Sequence, residues 1–323
     1  MAQFEKIYIE ISDYCALSCG FCPSSKKKNM RGIMDSSLFS SLCAQIENKT
    51  KRVSLHILGD PLSVRDFEKY AQIAHSYRLK IDLVTTGLFL KKKHFGLLLQ
   101  EPFVQVSFSL SAFLANPKLL TMGHLQTILA FCKQHIQENA PNFINLRLHQ
   151  KDIVQGGKAF EAIIKEIETF FAPFCPESSR IDLGCIDFWQ GSNECDSLQK
   201  RKKRIRLAPK ILLKPTASFE WEQEDRDYAI KDSKKISKTI HKPLCYGSLK
   251  QCGVLSNGEL VPCCIDYEGR ASFGNIKEQS FQEIIKSKHF QAFRESLKKG
   301  IAPCKLCQKC GYRLILHNLK DID

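Results

Sequence analysis

Lys6-Ile7-Tyr8-Ile9-Glu10-Ile11, followed by Cys15-Ala16-Leu17-Ser18-Cys19-Gly20-Phe21-Cys22, is the stretch that decides how this chain folds. Ile7, Ile9 and Ile11 alternate with Tyr8 and Glu10, the period of a strand with one buried face. Three cysteines, spaced four and three residues apart, crowd the loop that ends it. They can converge on one metal centre, yet they supply three thiolates where iron–sulfur clusters normally take four. One iron would keep an open position, which chemistry needs and a purely structural site fills. Phe21 stands between the second and third thiols, and Pro23 discourages Cys22 from entering a helix. The bland alternatives are a structural zinc site borrowing a fourth ligand from elsewhere and a disulfide, which does not suit a chain without secretory features.

Length and composition narrow the setting. With 323 residues, 43% of them hydrophobic, the chain can build a large domain and a smaller one. No segment approaches the ~20 uninterrupted apolar residues of a membrane span. Met1 to Lys6 leads straight into the strand pattern with no signal peptide, so a cytoplasmic protein is expected. Fifteen cysteines are an odd count and argue against a disulfide scaffold. Cys43, Cys132, Cys175, Cys185 and Cys195 are isolated and read as small buried hydrophobes. The net charge of +14 raises nucleic acid as a partner. The lysines are spread, however, over Lys26 to Lys28, Lys91 to Lys93 and Lys200 to Arg204, without the aromatic-studded sheet of RNA-binding modules. A solvated basic surface is the preferred reading.

The first 190 residues alternate strand and helix signals. Strands are expected at Lys6 to Ile11, Val53 to Leu58, Ile81 to Val84, Val104 to Leu110, Phe143 to Leu148 and Ile181 to Phe188. Between them lie helices marked by Leu38, Leu42 and Ile46 behind an Asp35 cap; by Phe67, Tyr70, Ala74 and Tyr77; by Leu125, Ile128, Leu129, Cys132 and Ile136; and by Phe160, Ile163, Ile164, Ile167 and Phe171. Six such repeats imply an α/β fold, a partial (β/α)6 TIM-like barrel, since parallel neighbours need helical crossovers. Its ligands belong at the C-terminal strand ends, where Cys15, Gly59, Thr86 and Ser109 fall. Residues 191–243 are mixed and charged and read as a linker, although Ile211-Leu212-Leu213 and Phe219-Glu220-Trp221 suggest some order. From 244 the chain changes character into a small cysteine-rich domain. It has a hairpin at Ser256-Asn257-Gly258, an amphipathic helix from Phe281 to Leu297, and the run Cys304-Lys305-Leu306-Cys307-Gln308-Lys309-Cys310.

Cys-x3-Cys-x2-Cys at the end of a first strand, with Phe21 before the third cysteine, resembles the radical S-adenosylmethionine enzymes. The resemblance covers Lys6 to about Tyr312, apart from the linker. It implies that Cys15, Cys19 and Cys22 hold a [4Fe–4S] cluster whose open iron binds S-adenosylmethionine. One electron then yields a 5′-deoxyadenosyl radical that abstracts hydrogen from a substrate. Leu58-Gly59-Asp60-Pro61-Leu62 stands where the family has Gly-Gly-Glu-Pro-Leu, with Leu58 for the first glycine and the shorter Asp60 for glutamate; its bland reading is an ordinary turn. Thr85-Thr86-Gly87 and Ser107-Phe108-Ser109 resemble the family's third- and fourth-strand motifs. Phe21, Gly59, Asp60, Thr86 and Ser109 are thereby expected near the cofactor, with Arg147 a candidate for its carboxylate or simply a surface arginine.

The order Cys245, Gly258-x4-Cys263, Cys304-x2-Cys307 resembles the SPASM and twitch domains of that family, which carry auxiliary [4Fe–4S] clusters. One auxiliary cluster is expected, drawing four ligands from Cys245, Cys263, Cys304, Cys307 and Cys310, with Cys264 and Cys252 in reserve; a structural zinc knuckle is the alternative. Expected domains are thus 1–190, the linker 191–243, and 244–323. The implied substrate is a peptide, protein or small molecule, and the implied reductant a low-potential donor such as flavodoxin or ferredoxin. No membrane is expected. Only 14 residues precede Cys15, so no fused leader-peptide-binding domain is expected. The rival readings are an RNA-modifying radical enzyme and a non-catalytic zinc or iron–sulfur electron-transfer protein. No residue touching the substrate is legible.

Overall fold

The computed structural model describes residues 3–27, 29–174, 181, 204–217, 219, 221 and 245–313. Its strands in chain order are β1 (Lys6–Ile9), β2 (Val53–Ser54), β3 (Ile81–Thr85), β4 (Phe103–Ser109), β5 (Phe143–His149), β6 (Ile205–Ala208), β7 (Ile211–Thr216), β8 (Gln251–Val254) and β9 (Leu260–Val261). The helices are α1 (Ser36–Ile46), α2 (Phe67–Ser76), α3 (Phe95–Leu98), α4 (Ser111–Ala115), α5 (Met122–Gln137), α6 (Gln150–Gln155), α7 (Lys158–Phe171), α8 (Phe281–Lys286), α9 (Lys288–Lys298) and α10 (Lys305–Gln308). They fall into two compact units. One comprises Met1–Ala16, Phe21–Ile81 and Phe219–Asp323, the other Leu17–Gly20 and Asp82–Ser218. Among the described residues no helix is long and apolar enough to cross a membrane.

In the first unit β1 lies between two parallel neighbours. Ile7 is opposite Val53 of β2, and Lys6 to Ile9 run alongside Gln251 to Val254 of β8. Ile7 and Ile9 are fully buried, as the alternation predicts. β2 is shorter than the expected Val53–Leu58 strand because the chain leaves the ladder early: the Leu58 amide donates to the Glu10 side chain instead (3.3 Å). α1 begins where Asp35 accepts from the Ser37 and Leu38 amides, the expected cap. The C-terminal hairpin turns at Asn257-Gly258 and pairs β8 with β9 antiparallel. Through β8 it extends the parallel ladder of β1, a role the sequence pattern did not show. The expected helix Phe281–Leu297 is two helices. Ser287 is extended (φ −58°, ψ 150°) and its hydroxyl caps α9 by accepting from the Phe290 amide. Phe281, Ile284, Ile285, Phe290, Phe293 and Leu297 are all buried nonetheless, so the apolar face continues across the break.

In the second unit β4 and β5 are parallel, from Gln105 opposite Phe143 to Ser109 opposite Arg147. β5 is in turn parallel to β7, from Ile144 opposite Ile211 to His149 opposite Thr216. β6 and β7 form an antiparallel hairpin with an irregularity between Arg206 and Ala208. Both strands lie in the stretch read from sequence as a linker, where the neighbouring charges and Pro215 hide the strand pattern. The expected strand Ile181–Phe188 lies outside the described residues except for Ile181. α7 buries Phe160, Ile163, Ile164, Ile167 and Phe171, the five positions its period marks. At about 1.5–3 kcal/mol for each large apolar side chain, that stripe is what holds the helix to the rest of its unit.

Candidate metal centres and cofactor site

After β1 the first unit is held by buried carboxylates. Glu10 is fully buried; its Oε1 accepts from Arg31 Nε (3.1 Å) and Nη2 (2.6 Å) and from the Ser256 amide (3.3 Å), while Oε2 takes the Leu58 amide. One side chain thus ties together the loops that follow β1, β2 and β8. Asp13 accepts from the Arg31 amide (2.7 Å), the Gly32 amide (3.0 Å) and the Lys27 ammonium. Burial pushes the Asp13 carboxyl up, but Lys27 and the two amides outweigh it and leave it below the usual range. The backbone on either side of the cysteines is therefore pinned by charge-assisted bonds.

Gly59 packs against this segment. Its φ is +46°, and a Cβ there would lie 2.1 Å from the Ser12 carbonyl oxygen and 3.0 Å from that of Tyr14. Only glycine allows such an approach. The Asp60 amide then donates to the Tyr14 carbonyl (2.9 Å), and buried Asp60 accepts from the Leu62 amide (3.1 Å), capping the short 3-10 turn Pro61–Ser63. The Gly-Asp-Pro motif and the residues just before Cys15 are thus one hydrogen-bonded piece. Cys15 and Cys22 are half-buried.

The C-terminal thiols gather in the same unit. Cys263, Ile265 and Leu306 form an apolar cluster with Cys304, Cys310, Phe219, Trp221 and Tyr312 packed on it. Cys304 and Cys307 Sγ are 3.6 Å apart, and Cys245 Sγ accepts from the Gly247 amide (3.2 Å). A Cβ built on Gly247 would lie 3.5 Å from Cys245 Sγ and 3.6 Å from Cys263 Cβ, which brings those two cysteines to one spot. Burial pushes the Cys245, Cys263 and Cys310 thiols up, and each is raised further by its cysteine neighbours. Cys264 is pushed up to about 11 by burial, with the Tyr8 hydroxyl donating to it as a partial offset. Cys252 is fully buried in β8 opposite Ile7. Among the described residues no three Cys, His, Asp or Glu side chains converge as ligands of a single ion would. A set of four thiolates drawn from these five cysteines suits a [4Fe–4S] cluster or a zinc ion.

Trp221 joins the two cysteine regions of this unit. Its Nε1 donates to the Phe21 carbonyl (2.9 Å), inside the N-terminal cysteine run. Its ring meets Tyr267 edge-on (5.7 Å) and Phe219 (5.4 Å), and Phe219 meets Tyr312 (5.4 Å). Trp221 and Cys22 pack on one apolar cluster with Leu58 and Tyr267.

In the second unit Cys19 is buried, and Asn116, the residue ending α4, donates to its sulfur from Nδ2 (3.1 Å). Asn116 Oδ1 accepts from the Ser18 amide (3.1 Å). At the end of β3, Thr85 and Thr86 side chains accept from the Gly87 and Leu88 amides (3.2 and 3.3 Å). Gly87 has φ +85°, and a Cβ would meet Ile128 at 2.7 Å. Ser107, Ser109 and Ser111, around the end of β4, stand in three different settings. Ser107 is buried with Asn145 Nδ2 at 3.4 Å, Ser109 ends β4 half-buried opposite Arg147, and Ser111 has entered α4, its hydroxyl accepting from the His149 amide (2.7 Å). Burial pushes His149, at the end of β5, below its ordinary value. Glu10, Asp13, Asn116 and Trp221 were not singled out from sequence. Asn116 and Trp221 lie 97 and 200 residues from the atoms they hold, and no local pattern signals such pairs.

The iron–sulfur cluster-binding domain SPASM matches residues 245–311, spanning Cys245 to Cys310. S-adenosyl-L-methionine-dependent 2-deoxy-scyllo-inosamine dehydrogenase of Niallia circulans is 30% identical over 95 residues, 28% of this chain and 38% of that enzyme. Residues 245–311 thus carry a SPASM iron–sulfur cluster-binding domain, and part of the chain resembles an S-adenosyl-L-methionine-dependent dehydrogenase. The match spans well under half of that relative. The crystal structure of BtrN in complex with AdoMet and 2-DOIA is similar at TM-score 0.51 and 18% identity, covering 96% of this chain and 94% of that one. Streptococcus suis SuiB bound to precursor peptide SuiA gives a TM-score of 0.56 at 15% identity, covering 97% and 71%. These likenesses are of fold alone, that of an α/β partial barrel, and the SPASM match lies in the C-terminal residues 245–311.

Proposed function

We propose that this chain is a radical S-adenosylmethionine enzyme. Cys15, Cys19 and Cys22 hold a [4Fe–4S] cluster that leaves one iron open to S-adenosylmethionine, and four of Cys245, Cys263, Cys304, Cys307 and Cys310 hold an auxiliary cluster. Together the first cluster and S-adenosylmethionine supply one-electron chemistry that gives a 5′-deoxyadenosyl radical able to take hydrogen from a substrate. The observation that carries the reading is the single piece formed by the cysteine loop and the Gly59-Asp60-Pro61 turn, in which Gly59 lies against Ser12 and Asp60 is bound to Tyr14.

The protein's own share is placement. Phe21, Gly59, Asp60, Thr86 and Ser109 seat the cofactor; the tight turn at Gly59 presents backbone beside the loop, and Asp60 offers a carboxylate. Buried Glu10 and Asp13 keep the loop from shifting. The auxiliary site lies beside the partly buried rings of Phe219, Trp221 and Tyr312. The Niallia circulans relative is named for a small-molecule substrate and SuiB was solved with a peptide. The substrate here is of one of those two kinds, with a low-potential flavodoxin or ferredoxin as reductant.

The test is 5′-deoxyadenosine formation by anaerobically reconstituted protein given S-adenosylmethionine and a strong reductant. Wild type forms it, and a Cys15→Ala, Cys19→Ala, Cys22→Ala variant does not. Lack of product from wild type carrying [4Fe–4S] cluster would discard the reading.

A further inference from the structure

We propose that Asn116 is a positioning residue for the N-terminal cluster: its side-chain amide donates to the Cys19 sulfur and raises the reduction potential of the centre that this sulfur ligates. The inference rests on the reading of Cys15, Cys19 and Cys22 as cluster ligands, and adds a residue that no cysteine pattern indicates.

The orientation of the amide is fixed by its three contacts. Oδ1 faces the Ser18 N–H at 3.1 Å, and Nδ2 faces both the Ala112 carbonyl at 3.1 Å and Cys19 Sγ at 3.1 Å. A backbone N–H can only donate and a carbonyl can only accept, so turning the amide over would break both bonds. Nδ2 carries two hydrogens, and two acceptors stand before it. Cys19 therefore meets a donor. Asn116 is itself held at the end of α4, its own amide donating to Ala112 and Phe113 carbonyls (3.0 and 3.3 Å). Ser18 and Cys19 are thus gripped from one rigid point, by backbone and by sulfur.

A donor on a ligand sulfur has a definite consequence for the cluster. One-electron reduction adds negative charge that is spread onto the sulfurs, and a hydrogen bond to an anionic acceptor is stronger than one to a less charged acceptor. The reduced state gains more, and the potential rises; hydrogen bonds to sulfur are among the established levers on cluster potential. For an enzyme that needs a very low-potential electron, this device makes the cluster reachable by its donor.

The experiment is a potentiometric titration of the full, reconstituted chain followed by electron paramagnetic resonance. The N-terminal cluster is recognised as the reduced signal that changes when S-adenosylmethionine is added. In Asn116→Leu, which keeps the shape and loses the donor, that signal is expected to titrate at a more negative potential, while the signal insensitive to S-adenosylmethionine keeps its midpoint. In Asn116→Asp, which keeps an acceptor for Ser18 but turns an oxygen toward Cys19, the shift is expected to be larger. Equal midpoints in wild type and both variants would overturn the proposal. A second measurement needs no variant. Wild type carrying asparagine isotope-labelled at the side-chain nitrogen is expected to show a weak nuclear coupling to the reduced cluster, and its absence would overturn the proposal where the variants do not fold. Wild type with no signal responsive to S-adenosylmethionine would instead sink the cluster reading itself.

Discussion

Cys15, Cys19 and Cys22 come from one short loop, whereas the C-terminal thiols are collected from three separate segments around Cys245, Cys263 and Cys304 to Cys310. Their supports differ in kind as well. The N-terminal loop is tied by polar groups: Glu10 to Arg31, Leu58 and Ser256, and Asp13 to Lys27, Arg31 and Gly32. Around the C-terminal set stand Ile265, Leu306, Phe219, Trp221 and Tyr312, and burial raises the thiols themselves. A site that must exchange a ligand needs its backbone fixed while its metal stays open. A site whose thiols fill the coordination sphere can be closed by apolar packing alone. The contrast predicts that single changes will damage one region and spare the other.

The largest effect is expected at Gly59. Alanine there places a methyl group 2.1 Å from the Ser12 carbonyl at a φ of +46°, so the turn must move away from the cysteine loop. A loss of about 4 kcal/mol, at the upper end of single substitutions, is expected. 5′-Deoxyadenosine formation should vanish while iron loading of a Cys15/Cys19/Cys22-free background is unchanged by the same substitution. Loss of loading there as well would mean that the two regions are not independently supported.

Next in size is Glu10→Gln. It leaves Arg31 facing a neutral, partly mispaired amide in a fully buried place, and breaking a buried pair in this way costs about 3 kcal/mol. Chemical denaturation of the apo chain measures it. A cost below ~1 kcal/mol, that of an ordinary hydrogen bond, would show that the carboxylate hub is incidental.

Much of this was legible in the sequence, and the misses have physical causes. The stripes of α5 and α7 and the alternation of β1 read directly, because one buried face imposes its period on the residues. β7 did not read, since Lys214 and Pro215 interrupt its apolar run. The break at Ser287 was hidden because Phe281 to Leu297 stays buried on both sides, so the pattern looks continuous. The three-cysteine loop was readable because its ligands are neighbours in the chain. Its anchors were not, since Asn116, Trp221 and Arg31 meet it only after folding.

Trp221 is the place where the two regions share a side chain. Trp221→Phe keeps much of the ring packing on Tyr267 and Phe219 but removes the donor to the Phe21 carbonyl. About 1 kcal/mol of stability should be lost. The chain has two tryptophans, so in a Trp189→Phe background the remaining emission reports Trp221 alone. It should fall when iron and sulfide load the N-terminal loop. Emission that ignores loading would place the indole away from the cluster and dissolve the link between the two regions.

The smallest expected effect separates the regions by pH. In the apo chain Asp13 has a folded value below its usual 3.8, so the unfolded chain takes up its proton first as pH falls. The stability from this carboxylate is present above about pH 4 and is lost as pH drops through the folded value. Cys245, Cys263 and Cys310 lie above the usual thiol value of 9.0, so their contribution is present below about pH 9 and is lost as pH rises and the unfolded thiols ionise first. The apo chain should therefore weaken at both ends of the pH range for different reasons. Asp13→Asn should flatten only the acid limb of a denaturation-against-pH curve, and Cys263→Ala only the alkaline limb. If either substitution flattened both limbs, the polar loop and the apolar thiol set would have to be treated as one electrostatic system, and the division of labour drawn between them would fall.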